Sequence, residues 1–296
     1  MQIHSKKIDF DVKLLSSIRT VGSINNICFP ENATDVQLAL LYAKENGLTP
    51  YVLGGGSNTL LGYLDKTFII SDKNFILHWE VLDDKLIVSS NTTINHLVLK
   101  AAEEGLYGLD FLYGIPAHLG GLVTMNAGAY GKNISDYLEW IDIVDENGER
   151  RVYKDDIDFS YRKINISGCT NSCTNGGTPF VHYITYICLK LSKSPQDITV
   201  FLKDREAKHP LDQPSLGCFF KNPENQHAGY LIEQTGLKNH QIGGAKVSSK
   251  HGNFLINAGD AQFEDFIKLI QYVQEKVQEK FNINLELEIR IINEKE

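Results

Sequence analysis

At 296 residues the chain is longer than one hydrophobic core usually supports, so two or three domains are expected. A net charge of −8 argues against a nucleic-acid-binding surface, and 42% hydrophobic with 22% charged residues is the balance of a soluble globular protein. The N-terminal stretch MQIHSKKIDFDVKLLSS lacks the apolar segment of a signal peptide, and no apolar run approaches the ~18 residues of a membrane span, so a cytoplasmic protein without membrane contact is expected. The cysteines Cys28, Cys169, Cys173, Cys188 and Cys218 are odd in number and scattered, which does not read as a disulfide framework. With His182 they fit no standard zinc spacing, so no metal is expected.

Residues 34–47 are expected to form a helix: Thr34 and Asp35 start it, Val36, Leu40 and Ala43 share a face, and Gly47 stops it. Pro50 opens an apolar strand that runs into Gly54-Gly55-Gly56-Ser57-Asn58. Residues 67–71 and 84–90 read as strands. Residues 92–104 read as a helix with Ile94, Leu97, Val98 and Ala101 on one stripe and Gly105 as its stop. A second glycine-dense segment follows, Gly114-Ile115-Pro116-Ala117-His118-Leu119-Gly120-Gly121, and then Met125-Asn126-Ala127-Gly128. Residues 139–154 read as a hairpin turning at Glu146-Asn147-Gly148-Glu149. Residues 167–178 (SGCTNSCTNGGT) read as a surface loop and 180–192 as a long strand. Ser194-Pro195 is expected to open a helix that runs to about Lys208 and is stopped by Pro210. Near the C-terminus, Phe263, Phe266, Ile267, Ile270, Val273 and Val277 recur at helical spacing over about 261–280. A strand over 285–292 would put Glu286, Glu288 and Arg290 on one face.

The two glycine segments carry the first chemical signal. Glycine lets backbone approach a ligand closely and lets successive N–H groups face one concavity. One such loop reads equally well as an ordinary turn or a tight packing corner. Two, each with small polar residues, suggest a long ligand bearing a pyrophosphate. The GxGxxG spacing of a Rossmann fold is absent.

Six motifs then occur in a recognisable order: LGGGSN (53–58), GIPAHLGG with MNAGAYG (114–131), FSYR (159–162), GCFFKNP (217–223), IGGAKVSSKHGNFLIN (242–257) and LEIRII (287–292). On these the chain resembles the UDP-N-acetylenolpyruvylglucosamine reductase family, from about Leu53 to the C-terminus. The first forty residues match poorly. The resemblance implies an α+β fold: a vanillyl-alcohol-oxidase-type FAD-binding domain in two subdomains, taken as 1–80 and 81–193, and a C-terminal α+β substrate domain, 194–296. The short spacing after FFKNP is similar to the family's compact layout.

The resemblance also implies FAD as cofactor, NADPH as hydride donor, and reduction of UDP-N-acetylglucosamine enolpyruvate to UDP-N-acetylmuramate by a monomeric enzyme of peptidoglycan precursor synthesis. By motif match, Gly54, Gly55, Gly56, Ser57, Asn58, Gly114, Ile115, Pro116, Gly120, Gly121, Asn126 and Gly128 would contact FAD. Arg162 would take the substrate carboxylate, a role suited to a guanidinium fork. Tyr161, Lys221 and Asn222 are substrate-contact candidates. Glu288 would polarise the enolpyruvyl group. Cys218 stands where the family usually has a serine that donates a proton to the reduced substrate. Cysteine, with a reference pKa of ~8.5, keeps its proton at neutral pH and suits the same role. Against these stand plainer readings: a surface salt bridge for Arg162, a buried structural thiol for Cys218 and a solvated face for Glu286. Ala117 and His118 replace the family's usual Gly and Thr, and the Ser-x-Phe segment that usually follows the arginine is missing. Two alternatives stay open on sequence: another FAD oxidoreductase of the same fold, which would lack FSYR, GCFFKNP and LEIRII, and a degenerate module that keeps FAD without turnover.

Overall fold

The structure, a computed structural model, describes residues 3–4, 10–166 and 181–294. The 167–178 loop, with Cys169 and Cys173, lies outside the described residues. The chain divides into two compact units: Asn26–Gly55 and Lys66–Leu202 belong to the first, and Ile8–Asn25, Gly56–Asp65 and Lys203–Glu296 to the second. The division falls inside the first glycine segment.

In the first unit, a four-stranded sheet is ordered Ile3–His4, Ile27–Cys28, Thr67–Ser71, Thr49–Leu53, the last two strands parallel. Helix α1 (Ala33–Glu45) begins where the Asn32 side chain accepts from the Asp35 amide, one position earlier than the sequence suggested. Its Val36, Ala39, Leu40 and Ala43 pack into a core with Phe68, Ile70 and Phe75. A five-stranded antiparallel sheet is ordered Gly148–Tyr153, Leu138–Asp145, Tyr183–Lys190, Lys85–Ser89, Trp79–Leu82. Over it sit α2 (Ile94–Glu103), capped by Thr93, and the short α3 (Leu119–Thr124). The hairpin differs from expectation in its turn. Asp145 pairs with Gly148, so the loop is Glu146-Asn147, and Gly148, at φ 118°, already belongs to the strand.

Helix α4 spans Val200–Lys208 and does not begin at Pro195. The Asp197 carboxylate accepts from both the amide and the hydroxyl of Thr199, a local turn that competes with helix and holds off its first turn.

The second unit is built on a sheet ordered Ser215–Cys218, Phe254–Asn257, Ala245–Val247, Gln241–Ile242, with α5 (Ala228–Gln234) and α6 (Phe263–Phe281). Helix α6 buries Phe263, Phe266, Leu269, Ile270, Val273 and Val277 along one stripe, each fully buried apolar side chain contributing about 1.5–3 kcal/mol. It ends at Asn282, which adopts φ 56°. The C-terminal segment is not one strand. Residues 286–288 bond to 219–221, and only Arg290–Ile292 forms a regular strand, parallel to Thr59–Leu61. The chain changes partner between Glu288 and Arg290, so Glu286, Glu288 and Arg290 do not line one strand face.

Among the described residues no helix is long and apolar enough to cross a membrane, and no group of three or more His, Cys, Asp or Glu side chains is placed to hold a metal ion. Burial pushes the Cys28 thiol up to about 12 and Cys188 up to about 11, so both behave as packing residues.

His251, set in the SSKHGNF motif, is also structural. Its Nδ1 accepts from the Asn253 amide at 3.1 Å, and its ring packs edge-on against His209 and Phe254. His209 stacks on Phe254 at 4.9 Å. Desolvation, reinforced by the nearby His251 and Arg205, pulls His209 down from 6.5 to about 4. The folded state therefore favours neutral His209 and the unfolded state takes up its proton first. Its contribution is present above pH 6.5 and is lost as pH falls toward 4. The urea midpoint of the full chain is expected to fall between pH 7 and 5, and His209→Phe, which keeps a ring on Phe254 without a titrating group, is expected to flatten that fall. Equal pH slopes for the two proteins would contradict this account.

Candidate active site

The first glycine segment leaves the strand Thr49–Leu53 and bends at Gly56, φ 63°. A β-carbon at Gly56 would lie 1.8 Å from the Leu15 carbonyl oxygen, so the position excludes any side chain. Ser16 and Ser17 hydroxyls donate to the Gly56 carbonyl and fix the bend. Immediately after it, the Arg290 amide donates to the Asn58 carbonyl (2.9 Å), and Asn58 Nδ2 donates to the Glu288 carbonyl (3.4 Å). The loop thereby sets the register of the segment that carries Glu288.

Cys218 arrives by a second backbone device. The pairing of Ser215–Cys218 with Phe254–Asn257 is irregular between Ser215 and Cys218, and Gly217 there has φ 76°. Bulges of this kind re-aim the next side chain. Asn253, buried in the GNF motif, clamps the residue two positions after Cys218: its Oδ1 accepts from the Phe220 amide (2.9 Å) and its Nδ2 donates to the Phe220 carbonyl (2.7 Å). The Glu288 amide then donates to the Phe219 carbonyl at 2.9 Å, which sets Cys218 and Glu288 on adjacent extended segments, both half-buried.

Lys221 and Asn222 are engaged locally. Lys221 Nζ pairs with Glu286 at 3.2 Å on the surface, and the exposed Asn222 side chain accepts from the Ala228 amide at the start of α5. Neither arrangement by itself points at a ligand.

In the first unit, the second glycine segment is strapped down by backbone bonds: Ile94 amide to Ala117 carbonyl, Leu119 amide to Thr92, Gly120 amide to Ser90. Gly114 adopts φ 91° and its amide donates to Asn95 Oδ1. Ile115 is half-buried and Pro116 exposed. Gly120 leaves no room beside Ser90, and Gly128 none beside Asn133, whereas Gly121 has open space around it. Asn126 is buried in a left-handed conformation, φ 40°; its Nδ2 donates to the Ser160 carbonyl and its Oδ1 has no hydrogen-bond partner.

Arg162 lies in the two-residue turn of the hairpin Ile157–Ser160/Lys163–Ile166, beside Tyr161. It has φ 59°, a conformation that costs a non-glycine residue about 1–2 kcal/mol. Its guanidinium lies 5.0 Å from the exposed Tyr161 ring, and its Nη1 donates to the Gly128 carbonyl at 3.4 Å. The Asn126 and Arg162 bonds together fasten the FSYR hairpin to the glycine segment.

Two local arrangements had no sequence signal, the Asn253 clamp and the pairing of Asp72 with His118. Asn253 was legible only as part of a scaffold motif. Asp72 and His118, whose carboxylate oxygen and Nδ1 stand 2.8 Å apart, are 46 positions apart in the chain.

Comparisons with known proteins bear on the family and the fold. A model of the C-terminal domain of UDP-N-acetylenolpyruvoylglucosamine reductase matches residues 209–292, and an FAD-binding-domain model matches residues 25–153. The UDP-N-acetylenolpyruvoylglucosamine reductase of Clostridium botulinum is 35% identical over 97% of this chain and 92% of its own length. That of Caldicellulosiruptor bescii is 36% identical over 97% and 90%. The crystal structure of UDP-N-acetylenolpyruvylglucosamine reductase from Thermus caldophilus superimposes with a TM-score of 0.76 at 29% identity, covering 95% of this chain and 96% of that one. The α+β class and the FAD-binding architecture expected from sequence are thus borne out.

Among the candidate glycines, Gly56 is one the fold needs and Gly121 one it does not. Gly56→Ala is expected to lower the urea midpoint sharply, because the Leu15 backbone stands in the way. Gly121→Ala is expected to keep the wild-type midpoint yet weaken FAD binding in an equilibrium titration, since the added methyl would intrude only on open space. Wild-type FAD affinity in Gly121→Ala would contradict a cofactor-facing backbone there.

Proposed function

The chain belongs to the UDP-N-acetylenolpyruvoylglucosamine reductase family, and from that premise we propose that Arg162, Cys218 and Glu288 carry its chemistry. The protein is a flavoprotein oxidoreductase of peptidoglycan precursor synthesis that uses FAD and NADPH. The residues present suit the cofactor: open space at the Gly121 backbone and a buried Asn126 oxygen without a partner. Gly54–Asn58, Gly114–Pro116, Gly120, Gly121, Asn126 and Gly128 would hold it. When bound, FAD relays hydride from NADPH to the substrate.

The observation that carries the residue assignment is the Glu288-to-Phe219 backbone bond beside the Gly217 irregularity, which sets a thiol and a carboxyl on neighbouring segments. An enol ether accepts hydride poorly unless the negative charge that develops toward its carboxylate is stabilised. Arg162 binds that carboxylate, its charge permanent and its fork matched to two oxygens. Glu288 polarises the enolpyruvyl group. Cys218 delivers its proton to C2 as general acid. Tyr161 packs beside Arg162 and lines the carboxylate end, with Lys221 and Asn222 toward the nucleotide end. In the same reading residues 1–80 and 81–193 serve the flavin and 194–296 the substrate, and the protein acts as a cytoplasmic monomer without nucleic-acid partners.

Anaerobic half-reactions test Cys218 directly. Cys218→Ser is expected to retain substantial activity. Cys218→Ala is expected to slow flavin reoxidation by substrate by roughly 10²–10⁴-fold, the usual worth of a general acid, while NADPH reduces the flavin at the wild-type rate. Reoxidation of the alanine variant at the wild-type rate would remove Cys218 from the mechanism.

A further inference from the structure

The replacement of the family's usual Gly-Thr by Ala117-His118 is answered elsewhere in the first unit. The His118 ring lies against the first glycine segment: a β-carbon at Gly55 would be 3.0 Å from its Cδ2 and 3.3 Å from its Nε2. His118 Nδ1 stands 2.8 Å from Asp72 Oδ2, and that same oxygen would be 3.4 Å from a β-carbon at Gly54. Two of the three loop glycines therefore pack on one His–Asp pair.

Asp72 is only 4% exposed, and its Oδ1 is buried without a hydrogen-bond partner. A buried carboxylate is costly unless paired and hydrogen-bonded. The pair does not serve only the core, because Oδ2, the oxygen that meets His118, also faces the loop at Gly54. With Asp72 accepting from Nδ1–H, the ring's orientation is set, and Nε2 is the remaining polar atom of a side chain that is 21% exposed. Beside a diphosphate, a bare Asp72 would repel. A ring protonated on both nitrogens would offset that charge and present an N–H to a phosphate oxygen.

We propose that His118, oriented by Asp72, is a cofactor-anchoring residue that donates from Nε2 to the FAD diphosphate. The proposal rests on the reading of Gly54–Gly56 as the diphosphate loop, and adds a side-chain donor to the loop's backbone amides. It also accounts for the departure at 117–118: the chain exchanges a small hydroxyl for a longer donor that needs its own carboxylate partner.

The test is FAD affinity of the full chain, stripped of flavin and reconstituted, read by flavin fluorescence. Urea midpoints of the flavin-free proteins serve as the fold control. His118→Asn keeps a donor for Asp72 but loses the outer nitrogen, and is expected to raise the Kd for FAD about ten- to a hundred-fold, the worth of one hydrogen bond to a charged group. His118→Gln restores an outer donor and is expected to bind FAD more tightly than His118→Asn. Asp72→Asn is expected to weaken FAD binding in the wild-type background and to add little to His118→Asn. Wild-type affinity in His118→Asn, affinity in His118→Gln no better than in His118→Asn, or additive effects of the Asp72 and His118 changes would each overturn the proposal. Failure of the wild-type chain itself to take up FAD would instead overturn the reading of the loop.

Discussion

The Cα of Gly56 sits so close to the Leu15 carbonyl that a β-carbon would come within 1.8 Å of its oxygen, and much of the second unit's site follows from that contact. A left-handed glycine there lets the chain turn and present Ser57 and Asn58, and then run as Thr59–Leu61. Those three residues template the parallel strand Arg290–Ile292, while Asn58 holds the backbone at Glu288 and Arg290. Glu288 in turn bonds to Phe219, next to Cys218. One steric constraint thus connects the first glycine segment to the backbone that carries Cys218 and Glu288 through a short chain of hydrogen bonds.

The first unit uses a different device. Arg162 is held in a strained turn and tied to Gly128, and the same hairpin is tied to Asn126. Its unfavourable backbone conformation is tolerated because the surrounding bonds over-determine it. In the proposed assignment the protein's contribution to the reaction is positional and electrostatic: a fixed cation for the substrate carboxylate, a carboxyl group on the enol, a thiol proton for C2. The difficult electron transfer belongs to the cofactor.

Much of this was legible in the sequence where a single local rule operated. Helical periodicity located α1, α2 and α6 within a few residues, and glycine-rich segments marked the backbone that has to stay bare. Legibility failed where two local preferences competed or where distant residues met. Pro195 looked like a helix start, but Asp197 prefers to satisfy Thr199, and the helix waits until Val200. Alternation over 285–292 looked like one strand, but the segment exchanges one partner for another at Ile289. Asn147-Gly148 looked like the hairpin loop, but the pairing of Asp145 with Gly148 moves the turn one residue back. The Asn253 clamp and the Asp72–His118 pair depend on folded proximity that no spacing announces.

The central claim is that this backbone holds a flavin that passes NADPH's hydride to an enolpyruvyl substrate. The most direct measurement is the visible spectrum of the purified, FAD-loaded protein under anaerobic conditions, first with NADPH and then with UDP-N-acetylglucosamine enolpyruvate. The account predicts a flavin band that bleaches with NADPH and returns when substrate is added. A band that bleaches and stays bleached, or no flavin band after FAD has been supplied, would contradict it.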